Sequence, residues 1–255
     1  MKILIGNTGL VGQTLNDDIH FDLTFNSKNI HEFEKYVVDW SELYLSCLPA
    51  TKWKVNQDVK GDIQNIHNIF EIIKSKKYSK IILISTIDVY VDSLEGSNED
   101  VSPITKTLNY GSNRYIFELM VKELECEDIQ IYRLPALFNK RIKKNILFDL
   151  INDNNIEKIN YNSAFQWYDL NNLVSDIDKI NKSGTYNLFT EPIETSSILS
   201  LFGLDGSHVD TKMKRASYNF KTKYSQNGYI QSKDEVLEDI KNFINEFRNQ
   251  SISIQ

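Results

Sequence analysis

Residues 2–15, which read KILIGNTGLVGQTL, decide the fold. The stretch begins with an apolar run at residues 2–5, which is typical of a buried parallel strand. Three glycines follow within seven positions, at Gly6, Gly9 and Gly12, although the whole chain of 255 residues contains only ten. Glycine allows backbone conformations that other residues disfavour. We therefore predict a strand, a glycine-rich turn and the start of a helix in succession.

A turn of this kind is suited to an anion. It gathers several backbone N–H groups and the positive end of a helix dipole at one point, which favours a pyrophosphate. The spacing is Gly-x-x-Gly-x-x-Gly rather than the Gly-x-Gly-x-x-Gly of the common dinucleotide fingerprint. The alternative is a tight strand–helix turn that holds no ligand.

The rest of the first 140 residues alternates between short apolar runs and helical patterns. Strands are predicted at residues 21–25, 36–38, 42–48, 80–85 and 129–134, and helices at 63–73 and 110–125. Alternation of this kind predicts an α/β fold, a doubly wound parallel sheet with helices on both faces.

The pattern changes after about residue 138. Residues 139–162 are rich in Lys, Asn and Ile and lack the strand–helix rhythm. A strand is predicted at 184–189, a helix at 195–202, and a final helix after Ser232, which forms a capping box with Glu235. These elements predict a small C-terminal lobe.

Composition narrows the class of protein. A formal net charge of −6 and a pI near 5.3 argue against a nucleic-acid or anionic-membrane binder. Two cysteines cannot form a disulfide framework, and four scattered histidines lack metal-ligand spacing, so no metal site is predicted. The apolar run before Gly6 is too short for a signal peptide, and no stretch approaches a membrane span. We therefore expect a cytoplasmic protein.

Two further stretches carry chemistry. Residues 85–90, STIDVY, end the strongest predicted strand, and open α/β sheets bind ligands at that end. Tyr110 and Arg114 open the next helix four positions apart, so they share a face. A nearby cation lowers the pKa of a tyrosine, which can then act as a general acid–base. Thr86 would bond a substrate oxygen, and Asp88 would either assist the proton transfer or cap its loop.

These stretches resemble motifs of the extended short-chain dehydrogenase/reductase family, also called the NAD-dependent epimerase/dehydratase family. The phosphate turn of that family resembles residues 5–12, and its Ser-Thr-x-x-Val-Tyr stretch matches 85–90. Its Tyr-Gly-x-x-Lys-x-x-x-Glu motif is matched by residues 110–118, with Arg114 in place of the lysine. Residues 132–138 and 167–170 resemble two later motifs. The resemblance is good over residues 1–140, patchy over 165–200 and absent beyond.

The resemblance implies a division of the chain and a set of site residues. It implies an NAD(P)-binding Rossmann domain over residues 1–138, completed by about 165–182, and a substrate lobe over 139–164 and 183–255. The implied catalytic residues are Thr86, Tyr110, Arg114 and Asp88. The implied cofactor contacts are Gly6, Thr8, Gly9, Leu10, Val11, Gly12, Leu48, Pro49, Arg114, Pro135 and Leu137. Arg114 would hold the nicotinamide ribose, and the backbone near Leu137 would face the nicotinamide.

The departures from the family pattern concern the reaction. Arg114 keeps the charge of the usual lysine but cannot relay a proton. We nevertheless expect Arg114→Lys to preserve or raise activity, because it restores the family residue. Ile87-Asp88 replaces the acidic pair of the dehydratase branch and disfavours that chemistry, and Ala136 stands where several sugar-nucleotide enzymes carry a substrate-binding Asn.

The second strand indicates the cofactor. It ends in residues 25–28, FNSK, without the carboxylate that NAD-preferring relatives use for the ribose 2′-OH. Ser27 and Lys28 would instead bind a 2′-phosphate, which favours NADP, with NAD as the alternative, and Asn26 is a further cofactor contact. Lys28 is otherwise a solvated loop residue. The predicted substrate contacts are Lys140 and Arg141, whose basic run is otherwise a solvated face, and Trp167, which otherwise packs in the core.

We therefore expect an NAD(P)-dependent oxidoreductase or epimerase that acts on a sugar, with a nucleotide-linked sugar favoured and carbonyl reduction preferred. The alternative is a non-catalytic dinucleotide-binding sensor or accessory subunit. A homodimer is also expected. The two helices through which the family pairs carry apolar residues beyond one buried face: Ile63, Ile66, Phe117 and Met120.

Overall fold

The computed structural model describes residues 1–103, 106–205 and 215–252. The strands are β1 Lys2–Ile5, β2 Leu23–Phe25, β3 Ser41–Leu45, β4 Tyr78–Thr86, β5 Cys126–Leu134, β6 Ala136–Phe138, β7 Ala164–Phe165, β8 Trp167–Asp169, β9 Gly184–Asn187 and β10 Ile193–Glu194. The helices are α1 Leu10–Asp18, α2 Lys52–Gln57, α3 Val59–Ile73, α4 Tyr110–Lys122, α5 Ile146–Ile151, α6 Leu173–Asp178, α7 Thr195–Leu201 and α8 Lys233–Ile252.

The chain forms two compact units. Unit 1 contains residues 1–91, 101–134 and 172–187, and unit 2 contains residues 92–100, 135–171 and 188–255. The boundaries differ from the expected ones, because β9 pairs with β5 and so places residues 184–187 in unit 1 rather than in the lobe. Conversely, residues 165–171 lie in unit 2.

Unit 1 is built on a six-stranded sheet in the order β2-β1-β3-β4-β5-β9. Every neighbouring pair is parallel. The chain passes from β1 to β2 on one side and returns to β3 on the other, and such a reversal leaves a crevice at the carboxyl ends of the strands. The predicted doubly wound parallel sheet is confirmed.

One face of this sheet packs against α3 and α4. Alternate residues of β1 and β3, such as Ile5 and Leu45, are fully buried in one cluster with Ile66 of α3 and Phe117 of α4. Burying a side chain of this size stabilises the fold by about 1.5–3 kcal/mol.

This packing removes the sequence argument for a homodimer. Ile66 and Phe117 are 0% and 1% exposed, and Ile63 and Met120 are half-buried against the same cluster. The apolar residues taken as surplus therefore belong to the core of one chain, because both helices pack into the cluster that covers this face of the sheet.

Two local expectations are corrected. Residues 36–38 form no strand: Tyr36 ends a 3-10 turn over Ile30–Lys35, and Val37 is 87% exposed. The stretch 139–162 contains α5, whose six residues are too few to show a helical period, and Asn145 caps it by accepting from the Phe148 N–H at 3.0 Å.

Unit 2 holds two small sheets, β6 parallel to β8 and β7 antiparallel to β10. The predicted capping box is present at the start of α8: Glu235 accepts from the Ser232 N–H at 2.7 Å, and the Glu235 N–H donates to Ser232 Oγ at 3.4 Å. The Phe243 ring of α8 lies 5.6 Å from the ring of Phe138 in β6.

Over the described ranges, none of the helices is both long and apolar enough to cross a membrane. Within the same residues, no cluster of three His, Cys, Asp or Glu side chains is arranged to hold a metal ion.

Candidate functional site

The glycine turn follows β1 at the carboxyl edge of the sheet. Gly6 has φ +107°, a conformation that favours glycine, and its N–H donates to the Phe25 carbonyl at 2.7 Å. A Cβ at Gly6 would lie 2.4 Å from the Ser46 carbonyl oxygen, and one at Gly12 would lie 2.0 Å from the Gly6 oxygen. The first and third glycines therefore allow β1, α1 and the end of β3 to pack.

Gly9 has a different environment. It caps α1 at φ −76°, and an added Cβ would meet only the Gly6 oxygen, at an ordinary 3.7 Å. No described protein atom therefore requires glycine at this exposed position. The first N–H groups of a helix lack intrahelical partners, and a pyrophosphate approaching them would occupy the space of that Cβ. The turn thus fits a dinucleotide. Thr8 beside it is exposed, and Leu10 and Val11 are half-buried.

The end of β2 is tied to this turn. Asn26 donates to Asn7 Oδ1 at 3.2 Å, and its own Oδ1 accepts from the Lys28 N–H at 2.9 Å. Asn26 is therefore committed to the loop, and the exposed side chains next to it are those of Ser27 and Lys28.

Tyr110 is held at the start of α4. The helix begins with a capping box in which Asn109 Oδ1 accepts from the Ser112 N–H at 3.0 Å. A Cβ at Gly111 would lie 1.7 Å from the Asp88 carbonyl oxygen, so glycine allows the helix to start directly against the segment after β4. The Tyr110 N–H donates to Asn56 Oδ1 at 2.8 Å.

The structure brings Thr86, Tyr110 and Arg114 together. Thr86 and Arg114 both lie close enough to the Tyr110 hydroxyl to lower its pKa, and the Arg114 guanidinium carbon lies 4.5 Å from the centre of the Tyr110 ring. Thr86 Oγ1 also accepts from the Asp88 N–H at 3.2 Å. Two hydroxyls thus lie side by side at the end of β4.

The pKa of Tyr110 is raised above its ordinary value. Burial is the largest cause and Asp88 adds to it, whereas the neighbouring Arg114 and Thr86 side chains lower the pKa. The sequence predicted a lowered pKa. The effect of the cation has the expected sign, but burial outweighs it because Tyr110 is only 8% exposed.

Arg114 is engaged by a residue that the sequence analysis missed. Its Nη1 and Nη2 donate to the two oxygens of Asp62 at 2.8 and 3.1 Å, and Nη2 also donates to the Pro49 carbonyl at 2.7 Å. Asn113 Nδ2 donates to Asp62 Oδ2 at 2.8 Å. These bonds direct both terminal nitrogens of Arg114 to protein acceptors. That Arg114 holds a ribose stays a prediction.

A signal for Asp62 was present in the sequence. Asp62 lies on α3 in phase with Ile66, Ile69 and Ile73, all of them buried. An acidic residue within an apolar helical stripe needs a buried partner.

Asp88 is partnered as well. Its Oδ1 lies 2.6 Å from Lys52 Nζ, and 17% of its side chain is exposed. Of the two residues implied after β3, Leu48 is half-buried, and Pro49 is exposed, with its carbonyl bonded to Arg114.

The remaining motif residues form a buried network. Arg133 donates to Glu118 Oε2 at 2.6 Å and to the Tyr90 hydroxyl at 2.7 Å, and Ser85 donates to Glu118 Oε1 at 2.5 Å. The network joins β4, α4 and β5, which gives these residues a structural role.

Five predicted residues lie in unit 2. Pro135 is buried, Leu137 is half-buried with its carbonyl accepting from Asn145 at 2.8 Å, Lys140 is exposed and Arg141 is half-buried. Trp167 is only 1% exposed, so it packs in the core of the unit and offers no surface to a substrate. The expectation that Trp167 contacts the sugar is corrected accordingly.

No family model and no curated relative matches the chain. Solved structures match nearly all of it. A dTDP-4-dehydrorhamnose reductase from Bacillus anthracis, in complex with NADP, is 19% identical with a TM-score of 0.73 and covers 96% of this chain and 98% of its own. A UDP-N-acetylglucosamine 4-epimerase from Bacillus cereus is 16% identical with a TM-score of 0.65, covering 96% and 99%.

A UDP-glucose 4-epimerase from Thermotoga maritima, with UDP-glucose, is 10% identical with a TM-score of 0.67 and covers 99% of this chain and 100% of its own. These likenesses confirm the fold that the sequence resemblance implied.

Proposed function

We propose that the protein is an NADPH-dependent reductase of a carbonyl group on a sugar, with a nucleotide-linked sugar favoured. The observation that carries the proposal is the position of Thr86 next to the Tyr110 hydroxyl, at the same sheet edge as the glycine turn. A proton donor and a dinucleotide site at one edge are what carbonyl reduction requires. The reductase similar to this chain acts on dTDP-4-dehydrorhamnose and has NADP bound.

The cofactor assignment rests on the glycine turn after β1 and on the loop after β2. The space at Gly9 accepts a pyrophosphate at the α1 N-terminus, and the exposed Lys28 offers a cation to a 2′-phosphate. Leu48 would contact the cofactor after β3. Pro135 and Leu137 stay proposed contacts on the strength of the resemblance.

The chain's own groups then act on the substrate carbonyl. The Thr86 and Tyr110 hydroxyls donate to the carbonyl oxygen and hold its carbon in place. Bound NADPH supplies the hydride. As negative charge develops on the oxygen, Tyr110 transfers its proton to it, and the product is the alcohol. Lys140 and Arg141 are proposed to meet the substrate's phosphates.

Reduction is favoured over epimerisation by the state of Tyr110. A raised pKa keeps the hydroxyl protonated near neutral pH, which suits a proton donor. Removing a proton from a sugar hydroxyl, the first step of an epimerase, would need the ionised form. One buried tyrosine therefore suits the reductive direction.

A dinucleotide-binding sensor without catalysis is the second candidate. The commitment of Arg114 to Asp62 favours it, because the cation is then withdrawn from the role of the family's lysine. Both candidate functions predict that the protein binds the cofactor, but only the reductase predicts substrate turnover.

The deciding experiment follows NADPH oxidation by the purified protein with 4-keto sugars linked to thymidine or uridine diphosphate. We expect turnover with at least one of them and at least about a hundredfold less with Tyr110→Phe, while calorimetry gives both proteins the same NADPH affinity. Binding without turnover on every substrate favours the sensor, and absence of NADPH binding rejects both candidates.

Oligomeric state and location are further proposals. A homodimer rests on the family resemblance, and a light-scattering mass of one chain at micromolar concentration would exclude it. The cytoplasm is the proposed location and agrees with the two free thiols, Cys47 and Cys126.

A further inference from the structure

Asp62 is a buried carboxylate outside the expected catalytic set. Only 7% of the residue is exposed, and it accepts hydrogen bonds from Arg114 and Asn113. The arginine fork meets both carboxylate oxygens, an arrangement that a lysine ammonium cannot make. The same guanidinium lies against the Tyr110 ring. Asp62 therefore contacts Tyr110 indirectly, through Arg114, which binds the Asp62 carboxylate and lies against the Tyr110 ring.

We propose that Asp62 is a positioning residue for Tyr110: it fixes the Arg114 guanidinium against the tyrosine ring, and it makes arginine the residue that this site requires. The inference rests on the proposed reductase function for its kinetic consequences. Its structural consequences can be measured without any substrate.

The geometry opposes the family residue at position 114. A lysine there would be drawn to the Asp62 carboxylate as a single point charge, and it would lose the planar contact with the Tyr110 ring and the bond to the Pro49 carbonyl. Replacing Arg114 by Lys therefore moves the cation away from Tyr110. This reverses the expectation drawn from the family resemblance alone.

Other charges face Tyr110 as well and must be held constant. Asp88, in the segment after β4, lies near the hydroxyl and is paired with Lys52 of α2. Arg114 belongs to α4, and Asp62 belongs to α3. The variants below leave Asp88 and Lys52 in place, so a change in Tyr110 reports on the pair at 62 and 114.

The kinetic test is a cycle of Arg114→Lys, Asp62→Asn and the double variant. In the wild-type background, Arg114→Lys should lower kcat by about tenfold or more, because the cation is misplaced. In the Asp62→Asn background, the same change should cost less than about threefold, because no carboxylate then competes for the ammonium. Glu71→Gln, an exposed change on α3, is the control and should leave kcat unchanged.

The second readout is the titration of Tyr110 in protein labelled with ¹³C at the tyrosine ζ carbons, where the Tyr110 signal is the one missing from Tyr110→Phe. Arg114→Lys should raise the Tyr110 pKa further. Asp62→Asn should lower it, because the cation is no longer neutralised. A purely structural pair would alter the unfolding midpoint and leave this titration unmoved.

Arg114→Lys keeps a cation beside Asp62, so it decides the proposal even where Asp62→Asn fails to fold. Wild-type kcat together with an unchanged Tyr110 titration in Arg114→Lys would overturn the inference. A wild-type protein that reduces no keto-sugar would reject the proposed function, while the titration would still test the role of Asp62.

Discussion

The glycine turn and the Tyr110 site lie at the same edge of one sheet, but the turn is built from backbone atoms and the Tyr110 site from side chains. In the turn, the absence of side chains brings backbone atoms close: Gly6 and Gly12 allow close packing, and Gly9 leaves room at a helix N-terminus. In the Tyr110 site, side chains from separate segments hold one another, as Asp62 of α3 holds Arg114 of α4.

The two sites differ in how they tolerate substitutions. A backbone site depends on which side chains are absent, so any added atom harms it. A side-chain site depends on pairs, so a change at one member must be matched by a change at the other. Arg114 with Asp62 is such a pair.

The largest effect is expected in the side-chain site. Tyr110→Phe removes the proton donor and should lower turnover by about 10²–10⁴-fold. NADPH affinity should change little, because the turn is untouched. Steady-state rates and calorimetry on the same preparation check this, and a variant as active as the wild type would remove Tyr110 from the mechanism.

The backbone site is tested by two matched Gly→Ala changes. Gly12→Ala places a Cβ 2.0 Å from the Gly6 oxygen and should lower the free energy of unfolding by about 3 kcal/mol. Gly9→Ala meets no close atom and should stay within about 1 kcal/mol of the wild type.

NADPH affinity provides a second test that distinguishes the role of Gly9 from that of Gly12. Gly9→Ala should weaken NADPH binding at least about tenfold, because the added methyl occupies the approach of the pyrophosphate. Urea unfolding and calorimetry provide the two measurements. Unimpaired NADPH binding by Gly9→Ala would mean that the turn is structural only.

The pH dependence of reduction follows from the raised pKa of Tyr110. The proton donor must be protonated, and burial moves its loss of the proton to above the ordinary value near 10. We expect kcat/KM to stay level from neutral pH to at least about pH 9. An alkaline fall with a midpoint below that pH would show that Arg114 outweighs burial.

The smallest effect concerns cofactor choice. Lys28→Ala should weaken NADPH binding by about tenfold and leave NADH binding nearly unchanged, because only the 2′-phosphate contact is lost. The exposed Lys60 of α3 offers a matched control, since Lys60→Ala should change neither affinity. Equal wild-type affinities for NADPH and NADH would remove the NADP assignment.

The same contrast explains which parts of the fold and the site could be predicted from the sequence. The turn could be predicted because its residues are adjacent along the chain and glycine has a local conformational meaning. The sheet followed from alternating apolar runs, apart from residues 36–38, where Val38 alone is buried and the chain forms no strand.

The Tyr110 site could be predicted only in part. Spacing placed Tyr110 and Arg114 on one helix face, but Asp62 lies 52 residues before Arg114 and meets it only through the packing of α3 on α4. The sign of the Tyr110 pKa shift depends on how deeply the residue is buried, which the local sequence does not indicate. Trp167 was misassigned for the same reason.

The proposed function requires that the chain hold NADPH and use it to reduce a carbonyl. Incubation with a 4-keto sugar nucleotide and NADPH deuterated at the transferable position tests this directly, by mass spectrometry of the product. We expect an alcohol that carries one deuterium, with one NADPH consumed for each product formed. An unlabelled product, or recovery of the substrate with no NADPH consumed, would contradict it.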